Sequence, residues 1–142
     1  MDCRTTSANV PGAIGARPPL RVLLVEDSAA VAERVSGQIG ALEGVELVAT
    51  VSGEDAAIRE IAKGDVDAVV LDLTLEQGSG FGVLRAAQRL TSHPAIVVFT
   101  SYDIPAYRRA ADAFGASEFL NKARDQDKLA RFLAGLAGAG TA

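Results

Sequence analysis

Five short apolar runs, each followed by a segment with helical spacing, set the tightest limit on how this chain of 142 residues can fold. "LRVLLV" (20–25), "VELVATV" (45–51), "VDAVVL" (66–71), "AIVVFT" (95–100) and "SEFL" (117–120) are rich in branched and aromatic residues and read as strands. "SAAVAERVSGQIGAL" (28–42) places Val31, Val35, Ile39 and Leu42 three or four apart, the signature of an amphipathic helix. "GEDAAIREIAKG" (53–64) closes on a glycine, and "FGVLRAAQRL" (81–90) is a third helix. "IPAYRRAADAF" (104–114) carries Pro105 in its first turn and stops at Gly115. "DQDKLARFLAGL" (125–136) aligns Leu129, Phe132, Leu133 and Leu136 on one face. Parallel strands need crossover connections, and the helices supply them, so the pattern implies an α/β, doubly wound, five-stranded parallel sheet with five helices on its two faces. The strands read as continuously apolar, as expected when both faces are covered.

The folded domain is expected over residues 20–137, with no repeat or long linker inside it. Residues 1–19 hold three of the five prolines and no periodic apolar pattern, and are read as a disordered leader; residues 138–142 are read as a frayed tail.

Charge and composition exclude several roles. A net charge of −4 gives no bulk attraction to nucleic acid or anionic membrane. No apolar run approaches the roughly 20 residues needed to span a bilayer, and the N-terminus lacks the apolar stretch of roughly 7 to 15 residues of a signal peptide, so a cytoplasmic location is expected. Cys3 and His93 are the only cysteine and histidine, which rules out an intrachain disulfide and the usual zinc-ligand sets. Cys3 is read as an inert exposed thiol and His93 as a solvated loop residue.

In sheets of this kind ligands bind beyond the carboxyl ends of the strands, where the strand order reverses. The residues there are Glu26 and Asp27 after the first strand, Asp72 after the third, Thr100 and Ser101 at the fourth, and Asn121 and Lys122 after the fifth. Two carboxylates about 4 Å apart repel by roughly 4 kcal/mol at an effective dielectric of about 20. Three acids on one edge are tolerable only if protonated or joined by a cation. A hard divalent ion suits oxygen ligands, and Mg²⁺ suits a site with one or two direct carboxylates. A carboxylate beside a metal is also a nucleophile toward phosphorus, with Lys122 and Thr100 placed to answer charge on phosphoryl oxygens. Each residue has a plainer reading. Asp27 or Ser28 caps the first helix, Asp72 forms a turn, Thr100 and Ser101 belong to a polar loop, and Lys122 is one solvated charge in "NKARDQDK". Five such accidents on one sheet edge are a weaker explanation than one site.

Taken in order, "LLVEDS", "VVLDLTLEQGSG", "VVFTS" and "EFLNK" resemble the receiver domains of bacterial two-component response regulators, over about residues 20 to 137. The resemblance implies a flavodoxin-like sheet of order 2-1-3-4-5. It makes Glu26 and Asp27 the Mg²⁺-binding pair, Asp72 the phosphoacceptor, the Thr74 backbone carbonyl a third protein ligand, and Gly80 the loop glycine. Thr100 becomes the hydroxyl that moves onto the phosphate, Phe119 the aromatic switch residue, and Lys122 the phosphate-contacting lysine. Two departures stand out. Ala123 follows the lysine where the family has proline, and Leu75-Glu76 replace the usual methionine–proline pair, so that loop is expected to be more mobile than is typical.

The function implied is phosphoacceptor signalling rather than enzymatic turnover. Asp72 would take a phosphoryl group from a phosphohistidine on a histidine kinase or phosphotransfer protein. The product would draw in Thr100 and Lys122, bury Phe119 and reshape the face of the fourth helix, fifth strand and fifth helix, where Tyr107, Arg108 and Arg109 are candidate contacts. With no output domain after residue 137, a stand-alone regulator is expected, read by a downstream effector protein or by formation of a homodimer. Two alternatives stay open: a receiver-like binding module that works without phosphate, and a small phosphatase with an aspartyl nucleophile, which would need a second acidic loop where this chain has Thr100-Ser101.

Overall fold

The computed structural model describes residues 18–91 and 93–139. Cys3 with the rest of the leader through residue 17, residue 92, and the tail from residue 140 lie outside the described residues, as does what was expected of them. Ten elements alternate along the chain: β1 (Leu20–Val25), α1 (Ala29–Gly40), β2 (Val45–Val51), α2 (Glu54–Ala62), β3 (Ala68–Leu71), α3 (Gly80–Gln88), β4 (Ala95–Thr100), α4 (Pro105–Ala113), β5 (Glu118–Asn121) and α5 (Gln126–Ala139). The strands form one parallel sheet in the order β2-β1-β3-β4-β5, so chain order reverses beside β1. α5 runs to Ala139, three residues past the helix read from the sequence.

Alternation along each central strand divides the core in two. Val22 and Leu24 of β1, Val70 of β3 and Phe99 of β4 pack with Val35 and Ile39 of α1 and Leu129 and Leu133 of α5. Leu23, Val25, Leu71 and Val98 point the other way, onto Ala57 and Ile61 of α2, Val83 and Leu84 of α3, and Ala111 of α4. Filling both faces of β3 with Ala68–Leu71 leaves that strand fully buried, which contributes roughly 1.5–3 kcal/mol per large apolar side chain.

β2 departs from the expectation of a strand buried throughout. It is an edge strand in which Glu46, Val48 and Thr50 are exposed while the residues between them are half-buried. Its register with β1 slips at Val22/Leu23, where Leu47 and then Ala49 are the partners. That slip sends Val45 and Leu47 to one core and Ala49 and Val51 to the other.

Candidate functional site

The carboxyl ends of β1, β3 and β5 hold their side chains through one more rung of backbone pairing each. The Glu26 N–H donates to Val51 O at 2.9 Å, the Asp72 N–H to Val25 O at 3.1 Å, and the Lys122 N–H to Thr100 O at 3.0 Å. Glu26 and Asp72 are 4% and 5% exposed, Thr100 is fully buried, and Asp27 is half-buried. One carboxylate oxygen from each of Glu26, Asp27 and Asp72 lies within 4.8 Å of the others. The distant acids of the sequence therefore do converge.

Lys122 is the cation that meets them. Its Nζ lies 2.7 Å from Glu26 Oε1 and 2.8 Å from Asp72 Oδ2, with the side chain 13% exposed. This corrects the plain reading of Lys122 as a solvated charge. Burial pushes the Glu26 carboxyl above its ordinary value of 4.5, although Lys122 and the Ser28 N–H both pull it down. Burial alone would lower the Lys122 ammonium, but hydrogen bonds to Asp72 and Glu26 outweigh it and raise its pKa. Three carboxylates against one ammonium leave the pocket short of positive charge when all are ionised. The donor set is entirely oxygen, and its spacing lets one small hard cation touch more than one carboxylate. The residues thus fit Mg²⁺.

The capping readings hold in part. Ser28 caps α1, its hydroxyl accepting from the Val31 N–H at 3.3 Å, which leaves the Asp27 carboxylate for the cluster. Asp72 does form a turn, with Oδ1 accepting from the Thr74 N–H at 3.2 Å, and so has one oxygen on its own loop and the other on Lys122. The Thr100 hydroxyl accepts from the Tyr102 N–H at 3.3 Å. Gly80 is fixed by space: a Cβ there would lie 2.3 Å from the Asp72 carbonyl oxygen and 2.6 Å from Leu73 Cα.

One expectation needs correction. The β3–α3 loop is pinned rather than loose: Leu75 is buried, Thr74 bridges to Ser79, and the Gly80 N–H donates to Leu73 O at 3.0 Å. Phe119 is buried, at 9% exposure, with the Arg108 guanidinium 4.6 Å from its ring centre. Arg108 is exposed and pairs with Asp103 at 2.6 Å. Tyr107 is half-buried with its ring edge-on to Phe81 at 5.6 Å. Arg109 is exposed as expected.

Sequence reasoning placed Asn121 at its strand end without a role and did not single out Asp103, Asp125 or Glu54. Asp103 accepts from both Arg108 and Arg124, joining the β4–α4 loop to the β5–α5 loop. Asn121 Oδ1 accepts from the N–H groups of Ala123 (2.8 Å) and Arg124 (3.1 Å), and Asp125 Oδ2 accepts from the Asn121 N–H at 2.8 Å. Ala123 thus uses an N–H that proline lacks. Glu54, at the start of α2, receives the Ser79 N–H at 2.8 Å. Only Asp125 carried a signal, a helix-capping residue type just before α5.

Comparison with known proteins agrees with this geometry. The response regulator receiver domain profile matches residues 22–134. The sensory transduction protein LytT of Bacillus anthracis is 26% identical over 114 residues, 80% of this chain and 46% of that protein. A protein-glutamate methylesterase/protein-glutamine glutaminase of Myxococcus xanthus is 33% identical over 105 residues, 73% of this chain and 30% of that protein. The chain therefore spans less than half the length of these relatives. A LuxR-family two-component response regulator from Aurantimonas sp. SI85-9A1 superposes with a TM-score of 0.78 at 26% identity, covering 85% of this chain and 86% of that one. No helix among the described residues is long and apolar enough to cross a membrane. With five parallel strands in the order 2-1-3-4-5, an acid trio at their ends and a profile match across most of its length, the chain belongs to the response regulator receiver domain family.

Proposed function

We propose that Asp72 is a phosphoacceptor, loaded from a phosphohistidine of a histidine kinase or phosphotransfer protein in the cytoplasm. The observation that carries this is the meeting of Glu26, Asp27, Asp72 and Lys122 at the ends of β1, β3 and β5. In the transfer, an Asp72 carboxylate oxygen forms a bond to phosphorus as the phosphorus–nitrogen bond to the donor imidazole breaks, and the electron pair returns to the ring nitrogen. Asp27, Asp72 and the Thr74 carbonyl would hold Mg²⁺, with Glu26 acting through its outer shell. The ion, when bound, neutralises charge on the phosphoryl oxygens. Lys122 turns from the Asp72 carboxylate to the new phosphoryl oxygens, and the Thr100 hydroxyl donates to another. The response draws in Thr100 and Lys122, buries Phe119 more deeply beside Arg108, and so reaches the α4–β5–α5 face. A downstream protein, or a second copy of the chain, reads that face.

A second reading is a binding module indifferent to phosphate, favoured by Ala123 and Leu75-Glu76 standing where the receiver pattern has proline and methionine–proline. Incubation with Mg²⁺ and acetyl phosphate followed by intact mass spectrometry separates them. A gain of one phosphoryl group, absent in Asp72→Asn, is the expected outcome. No adduct from acetyl phosphate or any kinase would leave the binding module, and sustained hydrolysis of phosphomonoesters would make the chain a phosphatase.

A further inference from the structure

We infer that Glu54 of α2 is a positioning residue for the Asp72 site, completing the N-terminal cap of a different helix, α3, and so fixing the loop that bears Asp72 and Thr74. The inference rests on the proposed roles of those two residues. A helix start leaves N–H groups unpaired. The usual remedy within one helix is reciprocal: the N-cap serine accepts from an N–H one turn on, and a glutamate at the third helical position reaches back to the serine N–H. α3 has only half of this. The Ser79 hydroxyl accepts from the Phe81 N–H at 3.1 Å, but the third helical position is Gly82, which has no side chain to offer. The Ser79 N–H is taken instead by Glu54 Oε1 at 2.8 Å, from a residue 25 positions earlier.

The surroundings of that carboxylate are built for it. A Cβ on Gly82 would lie 2.2 Å from Glu54 Oε2, and one on Gly78 would lie 2.4 Å from Glu54 Cβ. Gly78 also has φ +80°, so a side chain there is excluded twice over. A second tie runs beside the first: the Glu54 N–H donates to Gln77 O at 3.0 Å, and Gly53 bridges to Gln77. From Ser79 the constraint passes directly to the site. Ser79 bridges to Thr74, and its neighbour Gly80 bonds back to Leu73, the residue after Asp72. The loop lacks an internal proline, having Leu75-Glu76, and to its own bonds it adds this tie from outside.

The test compares the full chain with Glu54→Ala, Glu54→Gln and, as a control in the same helical turn, Asp55→Ala. Amide hydrogen exchange is measured by NMR without metal, Mg²⁺ affinity by calorimetry, and global stability by urea unfolding. Loss of a partner outside the direct ligands typically weakens metal binding about tenfold or more, and that is the effect expected of Glu54→Ala. Exchange at Thr74 and Ser79 should quicken about tenfold beyond any global change, as expected for a lost bond to a charged acceptor. Glu54→Gln keeps an oxygen acceptor and should restore most of both, and Asp55→Ala should alter neither. Exchange that rises only in step with global unfolding, or unchanged Mg²⁺ affinity in Glu54→Ala, would overturn the positioning role. If the unmodified chain binds no Mg²⁺, the proposed site fails by itself, and the metal-free exchange rates still decide whether Glu54 holds the loop.

Discussion

The two loops that flank the Lys122–Asp72 pair solve one problem by different means. Both must hold a charged group at the sheet edge, and both lack the proline that the receiver pattern would lead one to expect. The β5–α5 loop is secured mostly from within: Asn121, Ala123, Arg124 and Asp125 bond to one another inside a single turn, and Arg124 also reaches Asp103. The β3–α3 loop adds to its own ties, Thr74 to Ser79 and Gly80 to Leu73, a tether from Gly53 and Glu54 of the preceding β-α step. A local network survives rearrangement of its neighbours. A tether from another helix makes the Asp72 loop depend on where α2 sits, which gives α2 a route into the chemistry that α5 lacks.

The largest expected effects break the β3–α3 loop at its backbone. Gly80→Ala would drive a Cβ to 2.3 Å from the Asp72 carbonyl, an overlap of backbone with no flexible side chain to yield. A loss of about 3 kcal/mol in urea unfolding is expected, the upper range for overpacking. Gly37→Ala, in exposed α1 with nothing within 4 Å, should instead gain about 0.5–1 kcal/mol, so opposite signs at two glycines check the reading of each.

Smaller effects sharpen the contrast in the β5–α5 loop. Asn121→Ala removes the acceptor of two backbone N–H groups and should cost about 1–2 kcal/mol in urea unfolding. Ala123→Pro restores the residue the family favours, yet it deletes the N–H that Asn121 receives. Proline substitution destabilises where the N–H was bonded, so a loss of about 1 kcal/mol is expected, not a gain. A stabilised Ala123→Pro variant would show that the Asn121 turn is dispensable.

What the sequence made legible follows the same division. The bounds of β1, β2 and β4 and the convergence of Glu26, Asp27, Asp72 and Lys122 could be read because strand runs and strand-end residues obey a period. Glu54 could not, since an acid in the first turn of a helix is explained by the helix dipole alone, and only folding brings α3 beside it. The Arg108–Phe119 contact was hidden for a related reason: a charged residue on an exposed helix looks free until the neighbouring strand is in place. The pinning of the β3–α3 loop was missed because proline was taken as the sign of stiffness, while glycine spacing at Gly78, Gly80 and Gly82 carried it.

The smallest effects are those of pH, and they set the site against the local loop. Glu26 has its pKa raised by burial, so in metal-free protein the folded state holds its proton more tightly than the unfolded chain. Stability from this group therefore falls as pH rises above its ordinary value of 4.5. Asp125 has its pKa lowered, first by the hydrogen bond from the Asn121 N–H, so its contribution is present above the ordinary 3.8 and is lost as pH falls through the lower folded value. Glu26→Gln should flatten the decline on the neutral side of the metal-free stability curve, and Asp125→Asn should flatten the acid side. The two variants then differ once more when Mg²⁺ is added. The decline that Glu26 causes should shrink in the unmodified chain, because a cation at the cluster favours the ionised carboxylate, while the acid limb set by Asp125 stays where it was. Urea midpoints across pH, for the unmodified chain and both variants with and without Mg²⁺, measure these curves, and an acid limb that moved with Mg²⁺ would mean that the β5–α5 loop is not independent of the site.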